Sequence, residues 1–182
     1  MHELHPDCQT ILFTEDQLRA RVTEVAKQVD AAFAGKRPIA LGILKGSIIF
    51  YADFIRCLSI PVELDFMAVS SYGSGTESSG KLKIKKDLDS DVKGRDVIVI
   101  EDIIDSGFTL CCLKKLLLER GAASVTIVTL LDKYARRTSD IKSDYNCFLI
   151  EDEFVIGYGL DYNEHYRSLP YIGILKRSVY EK

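Results

Sequence analysis

Along this chain the spacing of apolar side chains switches repeatedly between a helical and a strand-like rhythm. Leu18, Val22, Val25, Ala26 and Val29 recur at helical spacing behind a Thr14/Gln17 capping box, which predicts a helix over residues 14–34 that stops at Gly35. Residues 39–44 read as a short strand, and after Lys45, Gly46 and Ser47 an apolar helix runs to about Leu58, giving a first βα unit. A second strand is predicted over residues 62–70 and strand-like alternation over 82–88; Asp89, Ser90, Asp91 and Gly94 then mark a turn. Val97 to Ile100 is an unbroken β-branched run, as expected of a strand covered on both faces. Leu110, Leu113, Leu116 and Leu117 imply the helix that follows; residues 124–131 form another strand, and 147–175 hold two or three shorter ones. Strands separated by helices predict an α/β fold, a mainly parallel sheet with helices on both faces, in one domain.

The chemistry concentrates where the β-branched run ends. Parallel strands deliver their next residues to a ligand crevice at the sheet's carboxyl edge. Here those residues are Glu101 and Asp102, two adjacent acids that would point to opposite faces of an extended chain and could hold a hydroxylated or metal-bound ligand between them. Ser106, Gly107 and Thr109 then turn the chain into a helix, whose first amides and two hydroxyls make an anion site. No Gly-Lys-Ser/Thr ending is present, so the turn is not a nucleotide P-loop. Together they predict a ligand that is both a phosphate ester and a polyol, with a divalent cation offsetting the acids. The plainer alternative is an ordinary strand-turn-helix in which Asp105 merely caps the helix.

Residues 71–80, rich in glycine and serine, break all periodicity. They read either as a surface loop or as a lid carrying Ser71 and Tyr72 on glycine hinges. The acid-containing turns 87–91 and 140–144 read as solvated loops.

Composition narrows the classes. At 182 residues, 47% hydrophobic and 28% charged, the chain suits a self-supporting globular domain. A net charge of -3 gives no electrostatic footprint for nucleic acid. No apolar run approaches 18 residues and the start lacks signal-peptide regions, so neither membrane insertion nor secretion is expected and a cytoplasmic location is. Cys8, Cys57, Cys111, Cys112 and Cys147 are scattered without metal-ligand spacing and read as reduced thiols, with Cys111 and Cys112 as small buried hydrophobes.

The segment from Val97 to Leu110 is similar to the phosphoribosyl pyrophosphate (PRPP) signature of the type I phosphoribosyltransferases. Four more blocks, residues 42–47, 70–73 with the Gly/Ser tract after them, 130–133 and 154–167, extend the match, and over most of its length the chain resembles the bacterial-type hypoxanthine-guanine phosphoribosyltransferases. That resemblance implies the type I fold, a twisted sheet flanked by helices with a small hood from the N- and C-terminal segments and a flexible lid. It implies that Glu101 and Asp102 engage the ribose hydroxyls and Mg2+, that Asp105, Ser106, Gly107, Phe108 and Thr109 hold the 5′-phosphate, and that Asp105 is the general base or acid toward the purine. Phe108 stands where many relatives carry a polar or basic residue, and little loss is expected because amides bind the phosphate.

By the same resemblance Lys45, Gly46 and Arg167 bind pyrophosphate, in a loop where the family has an unusual cis peptide, and Asp161 is a further magnesium ligand at the purine pocket. Lys133 donates to the exocyclic oxygen of a 6-oxopurine, Phe154 stacks on the base and the Val155 backbone reads its edge. Without the family pattern, Lys133 is a solvated lysine and Phe154 a core ring. The implied reaction is purine salvage from PRPP and hypoxanthine or guanine to IMP or GMP and pyrophosphate, by a homodimer or homotetramer. Two other classes remain at this stage: a receiver-like domain with acids and a lysine at strand ends, which the mid-chain acid pair disfavours, and a PRPP-sensing regulator, for which residues 1–34 offer no nucleic-acid surface.

Overall fold

The β-branched run forms the centre of β5, Asp96–Ile104, in a computed structural model that describes residues 3–71 and 82–181. Around it, β2 (Ile39–Leu44), β3 (Glu63–Ser71), β6 (Ser124–Lys133) and β7 (Tyr145–Ile150) run parallel, and β4 (Leu82–Lys86) pairs antiparallel with β3 at one edge. The order is β4-β3-β2-β5-β6-β7. A second sheet, all antiparallel, sets β1 (Cys8–Phe13) against β9 (Ile172–Leu175) and β9 against the short β8 (Val155–Ile156). It is built from the two ends of the chain.

Burial explains the layers. Val97 and Val99 pack in a cluster with Leu110, Leu113 and Leu117 of α3 (Phe108–Glu119) on one sheet face. Ile98 and Ile100 pack on the other face with α1 (Glu15–Ala32) and α2 (Ile48–Cys57). Such two-sided burial is why the run is continuously apolar. The capping box forms as predicted: the Gln17 amide donates to Thr14 Oγ1 at 3.3 Å and the Thr14 amide to Gln17 Oε1 at 2.9 Å.

The acidic turns are not merely solvated. Asp87 receives both Arg120 terminal nitrogens at 2.7 Å, and Asp144 accepts the Ile127 amide at 2.7 Å. The Asp89 and Ser90 amides donate to buried Asp65 at 2.9 and 2.7 Å. Charged carboxylates here satisfy main-chain donors and one arginine, which composition cannot distinguish from solvation. All five cysteines are free; Cys111 is exposed rather than buried, because it falls on the outer side of α3. No helix among the described residues is long and apolar enough to cross a membrane. The expected lid lies outside the described residues except for Ser71, whose main chain pairs with Leu82 at the end of β3.

Candidate active site

The carboxyl ends of β2 and β5 open into a cleft of about 410 Å³ whose walls include Lys45, Gly46, Glu101, Asp102, Asp105, Ser106, Gly107, Thr109, Asp161 and Arg167. Residues from three separate parts of the sequence therefore meet at one sheet edge, the place where ligands bind in open α/β folds.

Glu101 and Asp102 do not straddle the strand as an ideal extended chain requires. The alternation changes phase at the pair: Ile100 belongs to the α1–α2 face, yet Ile104, of the same parity, packs on the α3 face while Ile103 packs on the α1–α2 face. Both carboxyls consequently line the cleft and share a hydrogen bond. Burial, and next the Asp102 charge beside it, pushes Glu101 well above the ordinary carboxylate range. Burial also raises Asp102, against the pull of the Ile103 amide, which donates to its Oδ1 at 2.8 Å. Two acids this close cannot both ionise without a cation.

The phosphate-sized turn follows. Gly107 precedes α3 with φ of 80°, and no side chain caps the helix. The Phe108 amide donates to Ser106 Oγ at 3.3 Å, the other first-turn amides have no intrahelical acceptor, and Phe108 itself is absent from the cleft wall. Asp105 is not the cap that the plainer reading expected. Its Oδ1 is buried with no hydrogen-bond partner, a costly arrangement for a polar atom unless a ligand supplies one.

Across the cleft the Leu44–Lys45 peptide is cis, one bond before the Lys45–Gly46 pair. A side chain on Gly46 would collide with the Asp102 carboxylate, and one on Gly159 with the Gly46 carbonyl, so glycine lets this loop lie directly against the acids. Arg167 approaches from the irregular segment 157–167, donating to the Gly159 carbonyl at 2.8 Å and pairing with Asp161 at 2.9 Å. Its Nε is buried without a partner. Glu164, which the sequence reading did not single out, bridges Lys45 at 3.0 Å and Arg167 at 3.2 Å. It lies within the 154–167 block, but nothing in its spacing marks it.

Lys133, Phe154 and Val155 form an adjoining group rather than part of the cleft wall. Lys133 ends β6 and donates to the Glu153 carbonyl at 2.8 Å, with Asp152 at 3.4 Å. Phe154 is neither solvent-free nor core: 36% exposed, its ring stacks on Tyr180 at 4.9 Å and meets Tyr162 edge-on at 5.5 Å. Val155 is buried in the small sheet opposite Ile174.

Among the described residues no three His, Cys, Asp or Glu side chains converge as a preformed metal site. Asp161 shares the cleft with the acid pair, but its carboxylate is engaged by Arg167 and by the Glu164 amide at 2.8 Å.

The sequence and the fold recur in known proteins. Residues 9–163 match the phosphoribosyl transferase domain model. The hypoxanthine-guanine phosphoribosyltransferase of Bacillus subtilis is 50% identical over 175 residues, 96% of this chain and 97% of that protein. A bifunctional protein TilS/HprT of Listeria monocytogenes is also 50% identical over 98% of this chain, which spans only 28% of that longer protein. A crystal structure of a hypoxanthine phosphoribosyltransferase from Staphylococcus aureus superimposes with a TM-score of 0.94 at 47% identity, covering 98% of this chain and 97% of that one. Matched by that domain model over most of its length and half-identical to a relative along nearly the whole of both chains, this chain belongs to the phosphoribosyltransferase family.

Proposed function

We propose that this protein moves the 5-phosphoribosyl group of PRPP onto hypoxanthine or guanine, releasing pyrophosphate and giving IMP or GMP. The observation that carries the reading is the cleft itself. It brings the Asp105–Thr109 turn, the acid pair, Lys45 and Arg167 around a space suited to a sugar with a phosphate at each end. The Asp105–Thr109 turn takes the 5′-phosphate through main-chain amides and the Ser106 and Thr109 hydroxyls. Glu101 and Asp102 receive the ribose hydroxyls. Lys45, the Gly46 amide and Arg167, once released from Glu164, receive the pyrophosphate.

The acid pair fits Mg2+. Among the described residues neither acid forms a salt bridge, although the Arg167 charge reaches Asp102, and magnesium is usually held by one or two carboxylates together with substrate oxygens and waters rather than by an all-protein cage. Glu101 and Asp102, with Asp161 beside them, would hold it, and when bound it supplies charge neutralisation to the departing pyrophosphate. In the transfer, the C1′–oxygen bond to pyrophosphate breaks as the purine N9 bonds to C1′, and the proton leaving the purine imidazole passes to Asp105. Alignment and charge stabilisation supply most of such a rate enhancement.

On the base side, Phe154 offers a ring face, Val155 its backbone and Lys133 a donor for a 6-oxo group. A buried donor left unpaired against an amino group would discriminate against adenine. In this reading the chain is one catalytic domain: the β1-β9-β8 sheet is the hood over the base, and Ser71 and Tyr72 belong to a lid that keeps water from the reacting sugar. It acts in the cytoplasm as a homodimer or homotetramer, without nucleic-acid or membrane partners.

The test is a product assay with PRPP, Mg2+ and each purine in turn. IMP and GMP should form and AMP scarcely at all; predominant AMP would contradict the Lys133 role, and PRPP binding without product would favour a sensor.

A further inference from the structure

Behind the phosphate turn lies a side chain that the turn's own sequence does not announce. Arg137 pairs with Asp132, and both are largely buried, 15% and 11% exposed. Its Nε donates to the Asp105 carbonyl at 3.0 Å and its Nη1 to the Ile141 carbonyl at 2.6 Å. The other Asp132 oxygen accepts from the Ser143 hydroxyl at 3.0 Å. The next two residues grip the turn as well: the Thr138 amide and the Ser139 hydroxyl donate to the Ser106 carbonyl at 3.1 and 3.0 Å. A Cβ on Gly107 would strike Ser139 and crowd Arg137, so the turn is seated directly on this segment.

A buried ion pair is weak evidence of stabilisation, because desolvating two charges offsets most of their attraction; its attested use is to fix one arrangement among several. The arrangement fixed here is specific. Asp132 precedes Lys133 on β6, whereas the carbonyl that Arg137 holds belongs to Asp105, which follows β5. One planar guanidinium therefore ties the donor proposed for the purine oxygen to the group proposed for the purine proton, and braces the phosphate turn between them.

We infer that Arg137 is a positioning residue for phosphoribosyl transfer, acting through the Asp105 carbonyl and Asp132 and not by touching substrate. The inference rests on the function proposed above. A lysine could retain the charge opposite Asp132 but not the fork that reaches two carbonyls. Arg137→Lys should therefore fold with a cooperative unfolding transition yet lower kcat by about 10–100-fold, the scale of a misplacement near 1 Å.

Two inhibitor affinities, for the two ends of the donor, separate positioning from general loosening. Inhibition by ribose 5-phosphate, which the turn would hold, should weaken by about tenfold or more in Arg137→Lys and in Asp132→Asn, while inhibition by pyrophosphate, held across the cleft, stays as in wild type. Equal weakening of both, or unchanged constants in an active protein, would overturn the inference. Should Asp132→Asn fail to fold, Arg137→Lys, which keeps a cation opposite Asp132, carries the test alone. A wild-type protein that forms no nucleotide removes the proposed function itself, and this inference with it; an active wild type with unaltered variants removes only the role of Arg137.

Discussion

Ile104 and Asp132 face each other across the β5–β6 ladder, so the residues after them, Asp105 and Lys133, leave the sheet edge at the same level. A planar base lying across that edge could meet a proton acceptor at its imidazole side and a donor at its 6-position together.

Replacing that donor should blur the choice of base. Lys133→Met leaves the 6-oxo group without its charged hydrogen bond, a loss of about 1.5–3 kcal/mol, so kcat/KM for hypoxanthine should fall about 10–100-fold. The hypoxanthine-to-adenine ratio of kcat/KM should narrow accordingly. A ratio unchanged from wild type would leave Lys133 only its structural bonds to the Glu153 carbonyl and Asp152.

Asp105 carries a buried oxygen without a partner. Asp105→Asn keeps the shape and removes the basic site, so turnover should drop by about 10²-fold or more with little change in KM for PRPP. Steady-state kinetics in both substrates decides this, and wild-type turnover would contradict it.

Gly46 lies so close to Asp102 that any side chain there meets its carboxylate. Gly46→Ala should displace Asp102 and cost about 10²-fold in kcat/KM for PRPP. Thermal unfolding should show that the fold survives, because the obstructing atoms are the end of a side chain and not the core. A fully active Gly46→Ala protein would mean the acids are not where PRPP binds.

The acid pair also predicts a pH dependence of stability. Burial lifts Glu101 above its unfolded range, so the folded protein binds more protons than the unfolded chain between the two values. Its contribution is thus fully present below the unfolded pKa and is lost as pH rises through the higher folded value. Without metal, Glu101→Gln should match wild type near pH 4 and exceed it by about 0.5–2 kcal/mol near pH 8, the size common for a single stabilising substitution. Denaturant unfolding at the two pH values checks this; parallel curves for the two proteins would contradict it.

How much of this is written in the sequence depends on what holds each element. Helix α1 and strand β5 are legible because a regular apolar period and, for α1, a cap at Thr14 determine them locally. The phase change that brings Glu101 and Asp102 to one side is not legible, since it depends on how Ile103 and Ile104 pack against opposite layers. Segment 157–167 carries Asp161 and Arg167 on a path with positive φ at Tyr158, Asn163, Glu164 and Tyr166. Such backbone has no periodicity to read and is held by surrounding contacts. Only the family resemblance pointed to its residues. Arg137 is illegible for a related reason: besides Asp132 its partners are the main-chain carbonyls of Asp105 and Ile141, and a carbonyl has no residue type.

Whether the turn after β5 holds the phosphoribosyl donor can be measured directly by titration calorimetry with PRPP and Mg2+ on wild type and on Gly107→Ala, whose new methyl would press on Ser139 and Arg137. The account predicts one PRPP per chain for wild type and at least about a tenfold weaker affinity, or no heat, for the variant. Absence of binding by wild type, or equal affinity in the two proteins, would contradict it.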